Sequence, residues 1–336
     1  MHGVNLVLLV KSLVLFAALI LIPGQGALAF GTINTFGQNA EHERITRHAL
    51  GCRQPGGPDD TTCFKKQSLD ELAGSAGTFG AVGAPDNPLN GRINDPKSHC
   101  DDGDFLPIAG YPQTAQQAQA ALQECRNWMT RNIDSAVEAA QPMVSNHRLV
   151  DKEIPTVFAC SFNYTKGRAY CNVLEAFGAA LHASQDFYAH SNWVDQPNPD
   201  SPISLTNPPG LAQAGPSPWL DLSNPSAAFP QGLITGCFKG IPPNGTSGCP
   251  NQVTHSSLNK DKGTIDPSVG AGTTPRGKVA YNFSNAVNAA IADTRGKWIF
   301  LQNKLLQRYG DRDGRLMICA LVNGSNYSSM CHATSQ

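Results

Sequence analysis

The ten cysteines of this 336-residue chain constrain its fold most, because they fall in neighbouring pairs along the sequence. Four of the five pairs are separated by 11 or 12 residues. An even number of cysteines in such pairs predicts five local disulfides, each of which would stabilise the fold by about 3 kcal/mol. Cysteine-ligated zinc is the alternative, but the chain contains no Cys-x-x-Cys pair. The predicted pairs are Cys52–Cys63, Cys100–Cys125, Cys160–Cys171, Cys237–Cys249 and Cys319–Cys331.

Residues 1–29 have the pattern of a cleaved secretory signal peptide. Residues 4–22 are apolar with three exceptions, and Ala27-Leu28-Ala29 provides the small residues of a cleavage site. An uncleaved membrane anchor is the alternative. We therefore expect a secreted protein whose mature chain, residues 30–336, forms a single domain. Five Asn-x-Ser/Thr sequons would be glycosylated in a host that uses them, at Asn163, Asn244, Asn282, Asn323 and Asn326.

The charge balance excludes one class of partner. The formal net charge is −1, and loss of the signal peptide, which contains Lys11 and no acid, makes it one unit more negative. Such a chain has no electrostatic attraction for duplex nucleic acid or an anionic membrane. Binding of single-stranded nucleic acid through stacking of its bases on aromatic side chains is not excluded.

Apolar residues recur at helical spacing, and strand signals are weak. The sequence predicts an all-α domain with long loops, including a Pro-rich loop at about 195–229. Asn39 is the expected N-cap of the first helix. The predicted helices are residues 39–50, 68–73, 114–143, 167–191, 278–309 and 315–322.

A candidate metal site lies in the fourth predicted helix. His182, Asp186 and His190 are spaced i, i+4 and i+8, which places them on one helix face. Leu174, Phe177 and Leu181 lie on the adjacent flank and should pack into the core. The spacing offers an imidazole and a carboxylate to one ion, or a carboxylate that bridges two ions. The alternative is a solvated polar face.

Other candidate ligands lie far apart in the sequence. His42 lies in the first predicted helix, and His99 precedes a dense acidic cluster. Asp86 lies in a Pro-rich turn, with Asp95 and Asp102 as rivals for the same role. A further candidate, His255, follows the Pro-rich loop.

The motifs around these residues resemble a known family. Ala29-Phe30-Gly31 and the run from Leu181 to Val194 look like the fungal heterokaryon-incompatibility protein of the C type and its bacterial relatives. The segment from His255 to Asp261 resembles a motif of animal proteins that join this domain to a von Willebrand A module. More distantly, the chain resembles zinc-dependent phospholipases C and single-strand zinc nucleases.

The resemblance implies an all-α fold of the phospholipase C type with two or three zinc ions. It implies that Phe30, through the mature amino terminus, and His42 hold one ion. Asp86, His99, His182 and Asp186 would hold its neighbour, with Asp186 bridging the pair. His190 and His255 would hold the third ion.

Three departures from the family pattern concern the first and third ions. Phe30 replaces a tryptophan, and His190 follows the bridging aspartate by four residues instead of six. Asn259 stands where the relatives have a carboxylate, with Asp261 two residues further on. The expectation for this chain is therefore two or three zinc ions.

The expected function is that of a secreted zinc-dependent phosphodiesterase, similar to phospholipase C. The substrate would be a phospholipid or another phosphodiester, with transient contact to a membrane surface, and Asp86 would orient water or act as base. A single-strand nuclease and a non-catalytic recognition protein of the incompatibility type are the alternatives. The apolar residues of the Pro-rich loop, Pro218, Trp219, Leu220 and Phe229, could form a cleft rim or a structural lid.

Overall fold

The computed structural model describes residues 30–32, 39–75, 78–155, 160–240, 245–265 and 270–331. The predicted signal peptide, residues 1–29, lies outside these ranges. The chain is mainly helical, as predicted, and the strands in the described ranges are two residues long.

The helices follow one another with long connections. They are α1 (Glu41–Leu50), α2 (Lys66–Ala73), α3 (Gly80–Gly83), α4 (Pro96–His99), α5 (Ala115–Ala139), α6 (Ala169–His190), α7 (His255–Leu258), α8 (Asn282–Asn323) and α9 (Tyr327–Cys331). Two antiparallel ladders pair β1 (Val144–Ser145) with β2 (Arg148–Leu149) and β3 (Gly263–Thr264) with β4 (Ala271–Gly272). Short 3-10 turns cover Ala84–Asp86, Pro88–Asn90, Gln141–Met143, Asp151–Glu153, Pro218–Leu220 and Gly324–Asn326.

Local signals explain where the helices begin and end. Thr114 and Gln117 form a capping box at the start of α5. The left-handed backbone of Tyr281 precedes α8, so this helix begins later than predicted. Gly310 departs from helical geometry within α8, at the predicted gap between the last two helices. The expected N-cap Asn39 is wrong, because the cap position is Ala40 and the Asn39 N–H donates to the Glu41 carboxylate.

Helix α6 lies at the centre of the molecule. Every residue from Phe177 to His190 is buried, so the polar stripe faces the interior and the solvated alternative is wrong. Gly178 explains how α3 approaches so closely, because a Cβ there would lie 2.4 Å from the carbonyl carbon of Ala81. This contact brings the turn that carries Asp86 against α6.

All five predicted disulfides are confirmed, and the structure pairs each cysteine with its sequence neighbour. Five disulfides are typical of extracellular proteins. No helix in the described ranges combines the length and the apolar character needed to cross a bilayer.

Two of the predicted sequons are closed to glycosylation in the folded chain. Asn282 and Asn323 are buried, whereas Asn163 and Asn326 are exposed. Asn244 lies outside the described residues.

The Pro-rich loop is a structural cover and does not form an apolar rim. Trp219 and Leu220 are buried, and Phe229 packs against the core. The buried Arg126 of α5 fastens the loop by donating hydrogen bonds to the backbone oxygens of Trp219, Asp221 and Asn224. Of the two sequence interpretations, the structure therefore favours the lid.

Candidate metal centre

Four ligand atoms from three parts of the chain meet on one side of α6. They are Asp86 Oδ1, His99 Nδ1, His182 Nε2 and Asp186 Oδ2. The His182 nitrogen is 3.0 Å from both His99 Nδ1 and Asp186 Oδ2, and the latter two atoms are 2.9 Å apart. Asp86 Oδ1 lies 3.6 Å from the His182 nitrogen and 3.8 Å from the His99 nitrogen.

These separations fit a tetrahedral ion. With metal–ligand bonds of about 2.1 Å, the ligand atoms around a tetrahedral zinc are about 3.4 Å apart. The side chains are buried, and their oxygens and nitrogens point at one another. The first cluster, as we name Asp86, His99, His182 and Asp186, therefore has the donors and the spacing for one metal ion.

The second oxygen of Asp186 faces another ligand. Asp186 Oδ1 lies 3.1 Å from His42 Nε2, and the rings of His42 and His182 stack with their centroids 4.3 Å apart. Neither His42 Nε2 nor Asp186 Oδ1 has a hydrogen-bond partner among the described residues. Buried polar atoms rarely lack a partner, and a second ion that shares Asp186 would satisfy both atoms. One carboxylate thus faces two sets of ligands.

Gln185 fixes the orientation of His42. The Gln185 amide nitrogen donates to Thr46 Oγ1 at 3.0 Å and to Thr294 Oγ1 at 3.2 Å, so the amide oxygen must face His42. That oxygen accepts a hydrogen bond from His42 Nδ1 at 2.8 Å. The Nε2 lone pair is therefore left for an ion, which is how supporting residues prepare a histidine ligand.

Backbone and hydroxyl groups support the first cluster in the same way. His99 Nε2 donates to the backbone oxygen of Arg92 at 3.1 Å, which turns Nδ1 toward Asp186. Thr32 Oγ1 donates to Asp86 Oδ2 and leaves Oδ1 facing the cluster. In His99 and Asp86, the ligand atom is therefore selected by a hydrogen bond to the opposite atom of the same side chain.

The pKa shifts of the candidate ligands indicate that the buried carboxylates at this site need positive charge beside them. Burial opposes ionisation of Asp186, yet His182 and His42 hold the pKa of its carboxyl well below the usual range. Burial alone would lower the pKa of His99, but Asp186 and Asp86 raise it to about 9. The same competition between burial and Asp186 raises the pKa of His42. A divalent cation would balance the buried carboxylates without these extra protons.

A second cluster lies at the C-terminal end of α6. The rings of His190 and His255 have centroids 3.8 Å apart, although 65 residues separate them in sequence. Asp101 Oδ1 lies 3.2 Å from His255 Nδ1 and 3.6 Å from His190 Nδ1. These three residues could hold a metal ion, and His190 Nδ1 has no hydrogen-bond partner within the described part of the chain.

Asp261 supports this second cluster from the opposite side. One of its oxygens lies 2.7 Å from His190 Nε2 and the other lies 3.4 Å from His255 Nε2. A carboxylate that accepts from both Nε2 atoms turns both Nδ1 lone pairs toward Asp101. Asn259 accepts from the backbone N–H of Asp261 at 2.8 Å and so shapes the turn. The structure thus supplies a carboxylate from Asp101, although Asn259 has none.

The backbone around Asp101 is unusual. Cys100 and Asp102 on either side of it have φ angles of 56° and 64°, in the left-handed region that non-glycine residues rarely adopt. The Cys100–Cys125 disulfide ties this turn to α5, and the Asp102 N–H donates to the backbone oxygen of Gly236 at 2.9 Å. Strained backbone of this kind tends to occur at functional sites.

The structure places the sequence-predicted site residues as follows. It brings together Asp86, His99, His182, Asp186 and His42, and it brings His190 to His255. The rivals of Asp86 lie elsewhere: Asp95 pairs with Arg92 and Lys97, and Asp102 accepts from the Phe238 N–H. Asp101 was missed as a ligand, and its only sequence signal was its place in the acidic cluster after His99.

Phe30 lies next to His42. Its ring is buried and meets the His42 ring edge-on, with centroids 5.9 Å apart. The His42 N–H donates to the backbone oxygen of Gly31 at 3.1 Å. The residue expected to become the mature amino terminus therefore packs against the start of α1.

Comparison with known proteins gives a single partial similarity. No family model matches the chain, and no solved structure matches significantly. The chain is 32% identical over 147 residues to von Willebrand factor A domain-containing protein 7 of the mouse. The matched part is 41% of this chain and only 15% of the mouse protein.

We predict that Asp186→Asn removes at least one equivalent of bound metal, because a neutral amide cannot balance two cations. Elemental analysis of the purified variant measures this loss. Asp313→Asn is the matched control, since Asp313 pairs with the exposed His147 and should retain all the metal. Full metal content in Asp186→Asn would contradict the shared-carboxylate arrangement.

A separate prediction compares how strongly replacement of Asp101 and of Asp261 reduces metal binding at the second cluster. Asp101→Asn should abolish metal binding at this cluster, whereas Asp261→Asn should weaken it by about 10- to 100-fold, as is typical for supporting carboxylates. Competition against a chelator measures both affinities, with Asp102→Asn as the neighbouring control. The reverse order of severity would place the ion on the Nε2 side of the histidines.

Proposed function

We propose that this chain is a secreted zinc-dependent phosphodiesterase that resembles phospholipase C. The observation that carries the proposal is the shared carboxylate: Asp186 faces His42 with one oxygen, and His99 and His182 with the other. Two ions on one bridging carboxylate form the clamp that hydrolases use on phosphate esters. The local disulfides support the extracellular location.

Zinc is the metal we propose for both clusters. Imidazole nitrogen combined with carboxylate oxygen suits zinc, whereas magnesium and calcium prefer ligand sets made of oxygen. Bound zinc would supply Lewis acidity toward phosphate oxygens and would acidify water. Asp86 Oδ1 would hold an ion. The other oxygen, Oδ2, accepts a hydrogen bond from the Thr32 hydroxyl, so it would act as a base only when a water molecule takes the place of that hydroxyl.

The proposed substrate is a phospholipid or another phosphodiester. Leu89, three residues after Asp86, is 91% exposed, and we propose it as one apolar contact for transient binding to a membrane surface. The aromatic rings that contact the candidate ligands pair with histidines, in Phe30–His42 and Phe238–His255, and Trp128 and Tyr164 contact Arg92, so we rank the single-strand nuclease second.

The alternative to an enzyme of either kind is a non-catalytic recognition protein, and one observation favours it. The side chains of the first cluster and of His42 are at most 6% exposed, as is common for structural metal sites that have no open position. In this reading the ions would hold the fold together for an interaction elsewhere on the surface.

Hydrolysis assays separate these functions. We predict zinc-dependent cleavage of phosphatidylcholine by the purified secreted protein, lost on chelation, restored by zinc and reduced more than about 100-fold in Asp186→Asn. Single-stranded DNA is tested in parallel. Cleavage of DNA but not of phosphatidylcholine would identify the protein as a nuclease. A protein that binds zinc stoichiometrically but cleaves neither substrate would be a non-catalytic recognition protein.

The resemblance also assigns Phe30 a role, and the contact between Phe30 and His42 supports it. An α-amino group titrates near pH 8, so zinc can displace its proton and bind the nitrogen at neutral pH. We predict that two extra residues before Phe30 lower the zinc content by one equivalent and reduce hydrolysis. Two residues added after Gln336 provide the control. Equal zinc content in both extended proteins would exclude an amino-terminal ligand.

A further inference from the structure

Arg92 lies in an aromatic stack beside the first cluster. Its guanidinium carbon is 4.3 Å from the ring centroid of Tyr164 and 4.7 Å from that of Trp128. The backbone oxygen of the same Arg92 accepts the hydrogen bond from His99 Nε2. The stack is therefore built on the segment that orients a candidate metal ligand.

Tyr164 lies within electrostatic reach of the same centre. Burial raises the pKa of its phenol, Arg92 opposes this rise, and Glu175 and Asp86 add to it. The hydroxyl therefore keeps its proton at neutral pH and is available as a hydrogen-bond donor.

Three polar atoms of this stack lack hydrogen-bond partners among the described residues. They are Arg92 Nε, Trp128 Nε1 and Tyr164 Oη. Each carries a hydrogen, so all three are donors, and of the three only the Tyr164 oxygen can also accept. Unmade hydrogen bonds of buried groups are costly, and such groups in native proteins usually have a partner. The chemistry that would satisfy three donors together is an oxyanion.

Charged side chains of both signs surround the stack. Lys97 Nζ lies 5.5 Å from the Trp128 centroid, so two cations adjoin the stack. Asp95 is the carboxylate paired with both of them, at 2.9 Å from Lys97 and 3.4 Å from Arg92. Glu175 is a further acid near Arg92, and its carboxylate accepts a hydrogen bond from the backbone N–H of Tyr164 at 2.7 Å. The Arg92 side chain is 29% exposed, so part of it is accessible from solvent, whereas its Nε is buried.

We propose that Arg92, Trp128 and Tyr164 form a subsite for the phosphoryl oxygens of a ligand bound beside the first cluster. Both rings contact the guanidinium, whose nitrogens all carry hydrogens to donate, and arginine stacked on aromatic rings is a common way to bind phosphate. The inference rests on the proposed function in one respect, the identity of the anion as a phosphate ester. In this arrangement the metal ligands hold the cations and the stack orients the phosphate.

Removing the donors while keeping the rings tests the subsite. Tyr164→Phe and Trp128→Phe delete one donor each and retain an aromatic face for Arg92. Calorimetric titration of the zinc-loaded protein with inorganic phosphate should show affinity falling about tenfold in each variant and further in Arg92→Gln. Tyr309→Phe is the matched control, because its hydroxyl donates to the backbone oxygen of Val137 and the change should leave phosphate affinity intact.

The outcomes separate the subsite from the proposed function. Phosphate binding that depends on these donors supports the subsite even when no diester is hydrolysed. Unchanged affinity in both phenylalanine variants, with zinc content equal to that of the unmodified protein, would show that the stack is structural and would overturn the inference. Absence of phosphate binding by the unmodified zinc-loaded protein would overturn it as well.

Discussion

The burial of the Asp186 carboxylate is the constraint on which the rest of the centre depends. A fully buried carboxylate is strongly unfavourable unless positive charge and hydrogen bonds surround it. Here the compensation comes from His42, His99 and His182, which belong to three different helices. The packing of α1 and α4 against α6 is thereby linked to the charge state of one side chain. A cation at this point would be part of the fold as well as part of the chemistry.

The hydrogen bonds that orient the candidate ligands link the centre to the loops of the chain. Gln185 orients His42, the backbone of residue 92 orients His99, and Asp261 orients both histidines of the second cluster. The loops are held in turn by disulfides and by buried cations such as Arg126. Since each orienting group comes from a different segment, the ligand geometry follows from the tertiary fold and not from any one motif.

The features that could be predicted from the sequence are those set by helical periodicity and by the pairing of cysteines that are close in sequence. The helical spacing of His182, Asp186 and His190 placed them on one face, and near-neighbour pairing gave all five disulfides. Asp101 could not be predicted in this way, because it is positioned by left-handed backbone at Cys100 and Asp102 and by tertiary contacts such as the hydrogen bond between Phe238 and Asp102, which are 136 residues apart. The spacing alone could not separate the predicted metal face of α6 from the solvated alternative, since polar side chains that face the interior have the same spacing as those that face solvent.

The two clusters act through a common element. Asp186 and His190 are one helical turn apart, about 6 Å along the axis of α6. Because α6 is buried on all sides from Phe177 to His190 and packs against α5 and α8, this separation is fixed by the core and cannot adjust to the ligand. Under the proposed function, a phosphate ester that contacts both clusters would have to match this preset spacing. A spacing that is fixed by the fold needs no reorganisation during a reaction, which would be the physical advantage of metal ligands on a buried helix.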